Sequence, residues 1–211
     1  MRNVRHWTPE YIFDRLSLAF FMRRNPDAPW ITPQMISLLN SWLRVGDIGF
    51  EWGSGRSTVW FAERVQRLTS VEHDPTWYSE VSSRLSATPN RSRVSLIKAD
   101  LNVPLSYINA ISDIEDEALD FCLVDGRLRA RCALRALPKI RPGGALIVDD
   151  IQRYIPPQIP TPSPNQRSHE QGPISEEWAE FQREIAIWRC IWTTSGVSDT
   201  ALWIKPGSYV E

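Results

Sequence analysis

Between residues 46 and 150, short apolar runs alternate with helical patterns, and each run carries or leads into an acid at its end. Ile48–Trp52 holds Glu51, Leu68–Glu72 ends on Glu72, and Val94–Ile97 leads to Asp100. Leu119–Val124 leads to Asp125, and Ala145–Val148 to Asp149 and Asp150. Strands that alternate with helices are joined by right-handed crossovers into a mainly parallel sheet. Such sheets take their ligands outside the carboxyl ends of the strands. The pattern therefore predicts an α/β, doubly wound sheet with a row of carboxylates along its ligand edge. Ile187–Thr193 and Thr200–Lys205, around Ser195-Gly196, read as a C-terminal antiparallel hairpin.

The first strand runs into Glu51-Trp52-Gly53-Ser54-Gly55-Arg56-Ser57-Thr58. Gly53 and Gly55 allow a sharp turn and close approach of the backbone to a ligand. Ser57 or Thr58 is expected to cap the helix that follows, which should run to about Arg67 and present its positive dipole end over the turn. Glu51 sets the sign of the ligand's charge. A carboxylate beside the turn repels phosphate and attracts an ammonium group. A dinucleotide fingerprint also needs a third glycine where Thr58 stands. S-adenosylmethionine offers an α-ammonium, a ribose diol and an adenine amine, and carboxylates at three successive strand ends suit all three.

Composition narrows the partners. A net charge of −1 provides no broad basic field for nucleic acid. No apolar run reaches the length of a membrane span, and the start, with Arg2, Arg5 and His6, lacks the apolar core of a signal peptide. Three scattered cysteines, Cys122, Cys132 and Cys190, read as reduced thiols in a cytoplasmic protein. Residues 1–45 form an aromatic helical segment expected to pack on or cover the substrate side, in which Thr32 should cap a second helix. Residues 46–211 form the ligand-binding domain. Within it, residues 152–175 hold six prolines and follow the fifth strand directly, so they read as a lid or a surface insertion.

On these motifs the chain resembles the class I S-adenosylmethionine-dependent methyltransferases, over roughly residues 46–205. The resemblance rests on Glu51 to Thr58, on Val71-Glu72-His73-Asp74, and on Ala99-Asp100-Leu101. Val124-Asp125-Gly126-Arg127 and Pro142-Gly143-Gly144 with Asp149-Asp150 add to it. It implies a Rossmann-like sheet of seven strands in the order 3-2-1-4-5-7-6. It further implies that Glu51, Gly53, Ser54 and Gly55 hold the methionine moiety, with Ser57 and Thr58 completing the turn where many members carry a later glycine. By the same likeness Glu72 takes the ribose, His73 lies against adenine, Asp100 and Leu101 meet the adenine edge, and Asp125 lines the methyl side.

The chemistry expected is methyl transfer to a small molecule, to a hydroxyl oxygen in the first instance. A hydroxyl acceptor needs alignment and removal of a proton. Asp149, Asp150 or His169 are candidate bases. Asp125, Asp149 and Asp150 also form a candidate Mg²⁺ set, resembling the metal-dependent O-methyltransferases, which usually pair aspartate with asparagine at the fifth strand where this chain has Asp149-Asp150. Arg129 lies near the start of a helix, where the dipole disfavours a cation. Arg127 or Arg129 is therefore expected to face the cleft and to pair with an acidic group, on the acceptor or on Asp149/Asp150. A nicotinamide-dependent oxidoreductase and a non-catalytic cofactor-binding scaffold are the competing readings. Oligomeric state is open, and a homodimer is compatible with the sequence.

Overall fold

The computed structural model describes residues 8–207, so the basic start with Arg2, Arg5 and His6 lies outside the described residues. The chain opens with helices α1 (Pro9–Arg24) and α2 (Pro33–Trp42), each with proline in its first turn, where the missing N–H costs nothing. Thr8 caps α1 by accepting the Tyr11 N–H at 3.1 Å. Thr32 makes no side-chain cap; its N–H donates instead to Thr200 Oγ1 at 3.1 Å and ties α2 to the last strand.

The strands are β1 (Ile48–Trp52), β2 (Arg67–Glu72), β3 (Val94–Lys98), β4 (Leu119–Val124), β5 (Ile140–Asp149), β6 (Arg189–Thr194) and β7 (Asp199–Ile204). They form one sheet in the order β3-β2-β1-β4-β5-β7-β6, with β7 antiparallel to both its neighbours. The predicted class, strand order and closing hairpin are all present. Helices α3 (Arg56–Ala62), α4 (Pro75–Ser86), α5 (Pro104–Ile108), α6 (Arg129–Ala136) and α7 (Glu176–Glu184) complete the layers. Helix α3 stops well short of Arg67, because the Gln66 N–H bonds Asp47 O at 2.9 Å and starts the chain into β2.

Period-two alternation divides the core between the two faces of the sheet. Phe50, Trp52, Cys122 and Val124 pack on one face with Tyr107, Leu146 and Val148. Phe121, Leu123, Ala145 and Ile147 pack on the other with Leu39, Phe61 and Leu68. Helix α2 is thus part of the main core rather than a separate layer. Gly49 sits opposite Phe121, and a Cβ there would lie 2.1 Å from Phe121 Cζ. Phe121 is fully buried and cannot swing clear. Gly49→Ala should therefore lower stability by about 1–3 kcal/mol, as overpacking does, read as a reduced urea midpoint; an unchanged midpoint would show that the ring yields.

Register aligns the strand ends. Trp52 pairs with Val71 on one side and Val124 on the other, and Val124 pairs with Val148. Gly53, Glu72, Asp125 and Asp149 each follow one of these residues, so they emerge at one edge of the sheet. The proline-rich segment is anchored at the β7 end of this same edge, where Thr200 pairs with Asp149. Thr161 and Ser163 donate to the buried Asp199 of β7, Arg167 N–H bonds Gln152 O at 2.9 Å, and Ile174 N–H bonds Tyr154 O at 2.8 Å. A buried carboxylate holds this segment against the hairpin end of the sheet.

Candidate active site

A cavity of about 640 Å³ opens where β1, β2 and β4 end, a size typical of small-molecule sites. Gly53, Ser54, Gly55, Ser57, Glu72, His73 and Asp125 from the sequence expectation line it. Gly53 makes the turn at φ 96°, and a Cβ there would meet the Asp125 carbonyl carbon at 2.8 Å. Backbone bonds from Gly53 N to Val71 O and from Asp125 N to Trp52 O, both 2.9 Å, lock the turn between its neighbours. Glycine is required twice over, by conformation and by space.

Glu51 lies beneath this turn rather than in the cavity wall, at 0% exposure. Its Oε1 accepts from Ser70 Oγ at 2.7 Å and from Thr58 Oγ1, while the buried Oε2 has no partner. Burial lifts the carboxyl to about 7 against the pull of the Thr58, Ser70 and Ser57 hydroxyls. Thr58 does not cap α3; its Oγ1 accepts the Gly55 N–H at 2.9 Å while donating to Glu51. The hydroxyl thereby connects the turn to the buried acid.

Glu72 is nearly buried, and its Oε1 accepts the N–H groups of His73 and Asp74, each at 2.8 Å. His73 Nδ1 lies 2.9 Å from the same oxygen without hydrogen-bond geometry. Two donors on one oxygen fix the carboxylate's orientation. Asp100 and Leu101 do not line the cavity. Asp100 Oδ1 caps its own turn through the Asn102 N–H at 2.8 Å, and Leu101 packs on the core.

Sequence reasoning missed an aromatic wall. Trp30 and Trp77 stack with centroids 6.2 Å apart, and the Arg56 guanidinium sits 5.2 Å from the Trp30 ring. The Trp77 Nε1–H donates to Ser54 O at 2.6 Å, which joins α4 to the glycine turn. Trp77 shares the helical period of Val81 and Leu85, so its sequence signal is that of a core residue. Trp30 follows a proline break, and nothing local marks it as a cavity residue.

The predicted Mg²⁺ set is corrected by Arg129. Its Nη2 donates to Asp125 Oδ1 at 2.9 Å and to Asp125 O at 3.0 Å, its Nε donates to Gly126 O at 3.0 Å, and its Nη1 donates to Asp149 O. A guanidinium thus takes the place between the ends of β4 and β5 that a cation would need. Asp149 turns away, accepting Thr200 Oγ1 at 2.6 Å, while Asp150 Oδ1 faces Arg153 at 3.4 Å. Among the described residues no group of three or more His, Cys, Asp or Glu is placed to hold a metal. The residues do not fit Mg²⁺. Burial pushes Asp125 up to about 7 despite Arg129, and burial with repulsion from Asp125 and Asp150 pushes Asp149 well above the carboxylate range. Arg129 does meet an acid, but the carboxylate it pairs with is Asp125 rather than the expected Asp149 or Asp150, of which it reaches only the Asp149 backbone carbonyl. Asp149 is walled off from the cavity, Asp150 belongs to a neighbouring one, and His169 lines neither.

A seven-stranded sheet with this order, a glycine turn after β1 and a carboxylate at the end of β2 define a Rossmann-like fold of the methyltransferase class. Residues 50–151 match a family model described as a methyltransferase domain. The match spans a little under half of the chain and places a methyltransferase domain on β1 to the end of β5. An O-methyltransferase from Bacillus cereus, solved with S-adenosylhomocysteine, superposes with a TM-score of 0.60 at 18% identity, covering 90% of each chain. The O-methyltransferase TomG from Streptomyces achromogenes, involved in tomaymycin synthesis and solved with S-adenosylmethionine, gives 0.59 at 19% identity, covering 91% of this chain and 89% of its own. The N-methyltransferase NodS from Bradyrhizobium japonicum gives 0.53 at 15% identity, covering 88% and 97%. At these identities the superpositions speak to fold alone. No curated protein matches the chain. Among the described residues no helix is long and apolar enough to cross a membrane.

Proposed function

We propose that the chain binds S-adenosylmethionine in the first cavity and transfers its methyl group to a hydroxyl oxygen of a small molecule. The observation that carries this reading is the alignment of the glycine turn, Glu72 and Asp125 on one cavity wall. The residues fit the cofactor. Glu51, buried beneath the turn, gives it a carboxylate that favours an ammonium group above it when ionised. Glu72, with Oε1 engaged by the backbone, has Oε2 to receive the ribose diol, and His73 stands beside it for the adenine. Trp30 and Trp77 close the far side, giving the N-terminal segment its covering role.

When bound, the cofactor supplies an electrophilic methyl group on a sulfonium, which leaves as a neutral thioether. The chain's part is to align the acceptor, exclude water and accept the hydroxyl proton. Asp125 is the candidate for the last task. Its carboxyl lines the cavity and is lifted to about 7, close to where a general base works best. Arg129 holds it in one orientation.

Calorimetry with S-adenosylmethionine, S-adenosylhomocysteine and NADH tests the reading. Both adenosyl ligands should bind in the micromolar range and NADH should not. Glu72→Ala should weaken adenosyl binding by roughly 100-fold, the loss of about two hydrogen bonds to a charged group. Binding of NADH in their place, or equal binding by the variant, would remove the assignment.

A further inference from the structure

A second cavity, of about 530 Å³, adjoins the first and shares Gly126, Arg127 and Arg129 with it. It is lined by four arginines against two acids. Arg131 lies 3.5 Å from Glu177, Arg153 lies 3.4 Å from Asp150, and Arg129 is paired with Asp125. Among the described residues Arg127 has no ion pair and its guanidinium makes no hydrogen bond, although its own N–H donates to Tyr107 Oη at 3.2 Å and is fixed. One positive charge on this wall therefore lacks a counter-ion.

Apart from the charged residues, the wall is formed by Pro104, Gly126, Leu128, Ala130, Tyr154 and Trp178. Tyr154 and Trp178 stack with centroids 5.0 Å apart and planes inclined by 15°. Trp178 is only 3% exposed and cannot move aside. Leu128 and Asp150, both non-glycine residues held in the left-handed region at φ 52° and 54°, also line this cavity. Such backbone is held only where the surroundings over-determine it, and it clusters at functional sites. Leu128 is 38% exposed where it lines this cavity.

We infer that this second cavity is the acceptor site, and that it selects a planar aromatic acceptor bearing one carboxylate, which Arg127 pairs. The inference rests on the methyltransferase reading. The shared rim at Gly126–Arg129 brings an acceptor in the second cavity next to Asp125 in the first. The exposed part of Tyr154, backed by Trp178 and with the Arg129 guanidinium 5.9 Å from its ring centroid, receives the ring. Arg127 receives the anion, and its fork suits a carboxylate bidentately. A neutral acceptor would leave Arg127 unpaired.

The test uses 4-hydroxybenzoate and its neutral counterpart 4-hydroxybenzamide as probes, titrated into the full chain saturated with S-adenosylhomocysteine. The acid should bind at least 10-fold more tightly than the amide in the wild type. In Arg127→Gln that preference should fall to about twofold or less, with S-adenosylhomocysteine affinity within threefold of wild type. Equal binding of acid and amide by the wild type, or binding of neither, overturns the inference. So does an Arg127→Gln variant that loses S-adenosylhomocysteine but keeps the acid preference, since Arg127 would then serve the cofactor. Wild-type S-adenosylhomocysteine binding is read separately. Its absence sinks the methyltransferase reading, whereas its presence without an acid preference sinks only this one.

Discussion

Arg129→Met lowers the unfolding free energy by about 3–5 kcal/mol at pH 8, the cost of removing one partner from a buried ion pair. The side chain is 14% exposed and donates to Asp125 Oδ1 and to the backbone carbonyls of Asp125, Gly126 and Asp149. Methionine fills much of the same volume, so cavity formation contributes little. What remains is a carboxylate and three carbonyls without their donors. The deficit depends on pH in a direction fixed by the carboxyls. Asp125 and Asp149 already have raised values with Arg129 present, through burial first, and removing the cation raises them further. At pH 5 both are protonated in the folded variant, and the charge part of the loss disappears. Urea unfolding of both proteins at pH 5 and pH 8 separates the parts. A deficit equal at the two pH values would mean that Arg129 acts by packing and hydrogen bonding alone, without the charge role assigned to it.

Glu51→Gln should stabilise the protein relative to wild type as pH rises. The Glu51 carboxyl is lifted from 4.5 to about 7, by burial above all. A raised carboxyl favours the folded state while it is protonated. That contribution is complete below the unfolded value, falls as pH rises from about 4.5, and is gone above about 7. A shift of this size corresponds to about 3 kcal/mol. Glutamine is isosteric and does not titrate, so the difference between variant and wild type should move by about 3 kcal/mol in the variant's favour between pH 4.5 and pH 8. The amide's own hydrogen bonds are constant with pH and drop out of that comparison. A difference that stays flat across the range would show that Glu51 is ionised in the folded protein throughout.

These two groups also show how far sequence reasoning reached. Glu51 stood out because a carboxylate in a buried strand contradicts its surroundings, and its partners Thr58 and Ser70 lie within reach of that inference. Its depth did not. Period two turns Glu51 to the face opposite Trp52, where α3 covers it, and its place beneath the turn follows from the α3–β1 contact. The row Gly53, Glu72, Asp125 was legible because parallel register carries strand ends to one edge. Asp100 and Asp149 share that pattern in sequence but leave the cavity, one to cap its own turn and one to meet Thr200. A strand end specifies which edge a residue reaches; its rotamer and partners decide what it faces.

By itself the sequence determined the mainly parallel sheet, the antiparallel hairpin and the acids beside the glycine turn, because alternation and turn chemistry are local properties; the strand order followed from the family resemblance. Tertiary structure alone decided the rest. The Trp30–Trp77 wall joins the α1–α2 connection to α4, across the first two strands. The guanidinium of Arg129 takes the place a metal would need because three backbone carbonyls, two just beyond β4 and one at the end of β5, converge on it. The proline-rich segment is anchored by Thr161 and Ser163 on the buried Asp199 of β7. Each of these depends on where distant side chains meet in three dimensions, and short-range spacing along the chain carries no record of that.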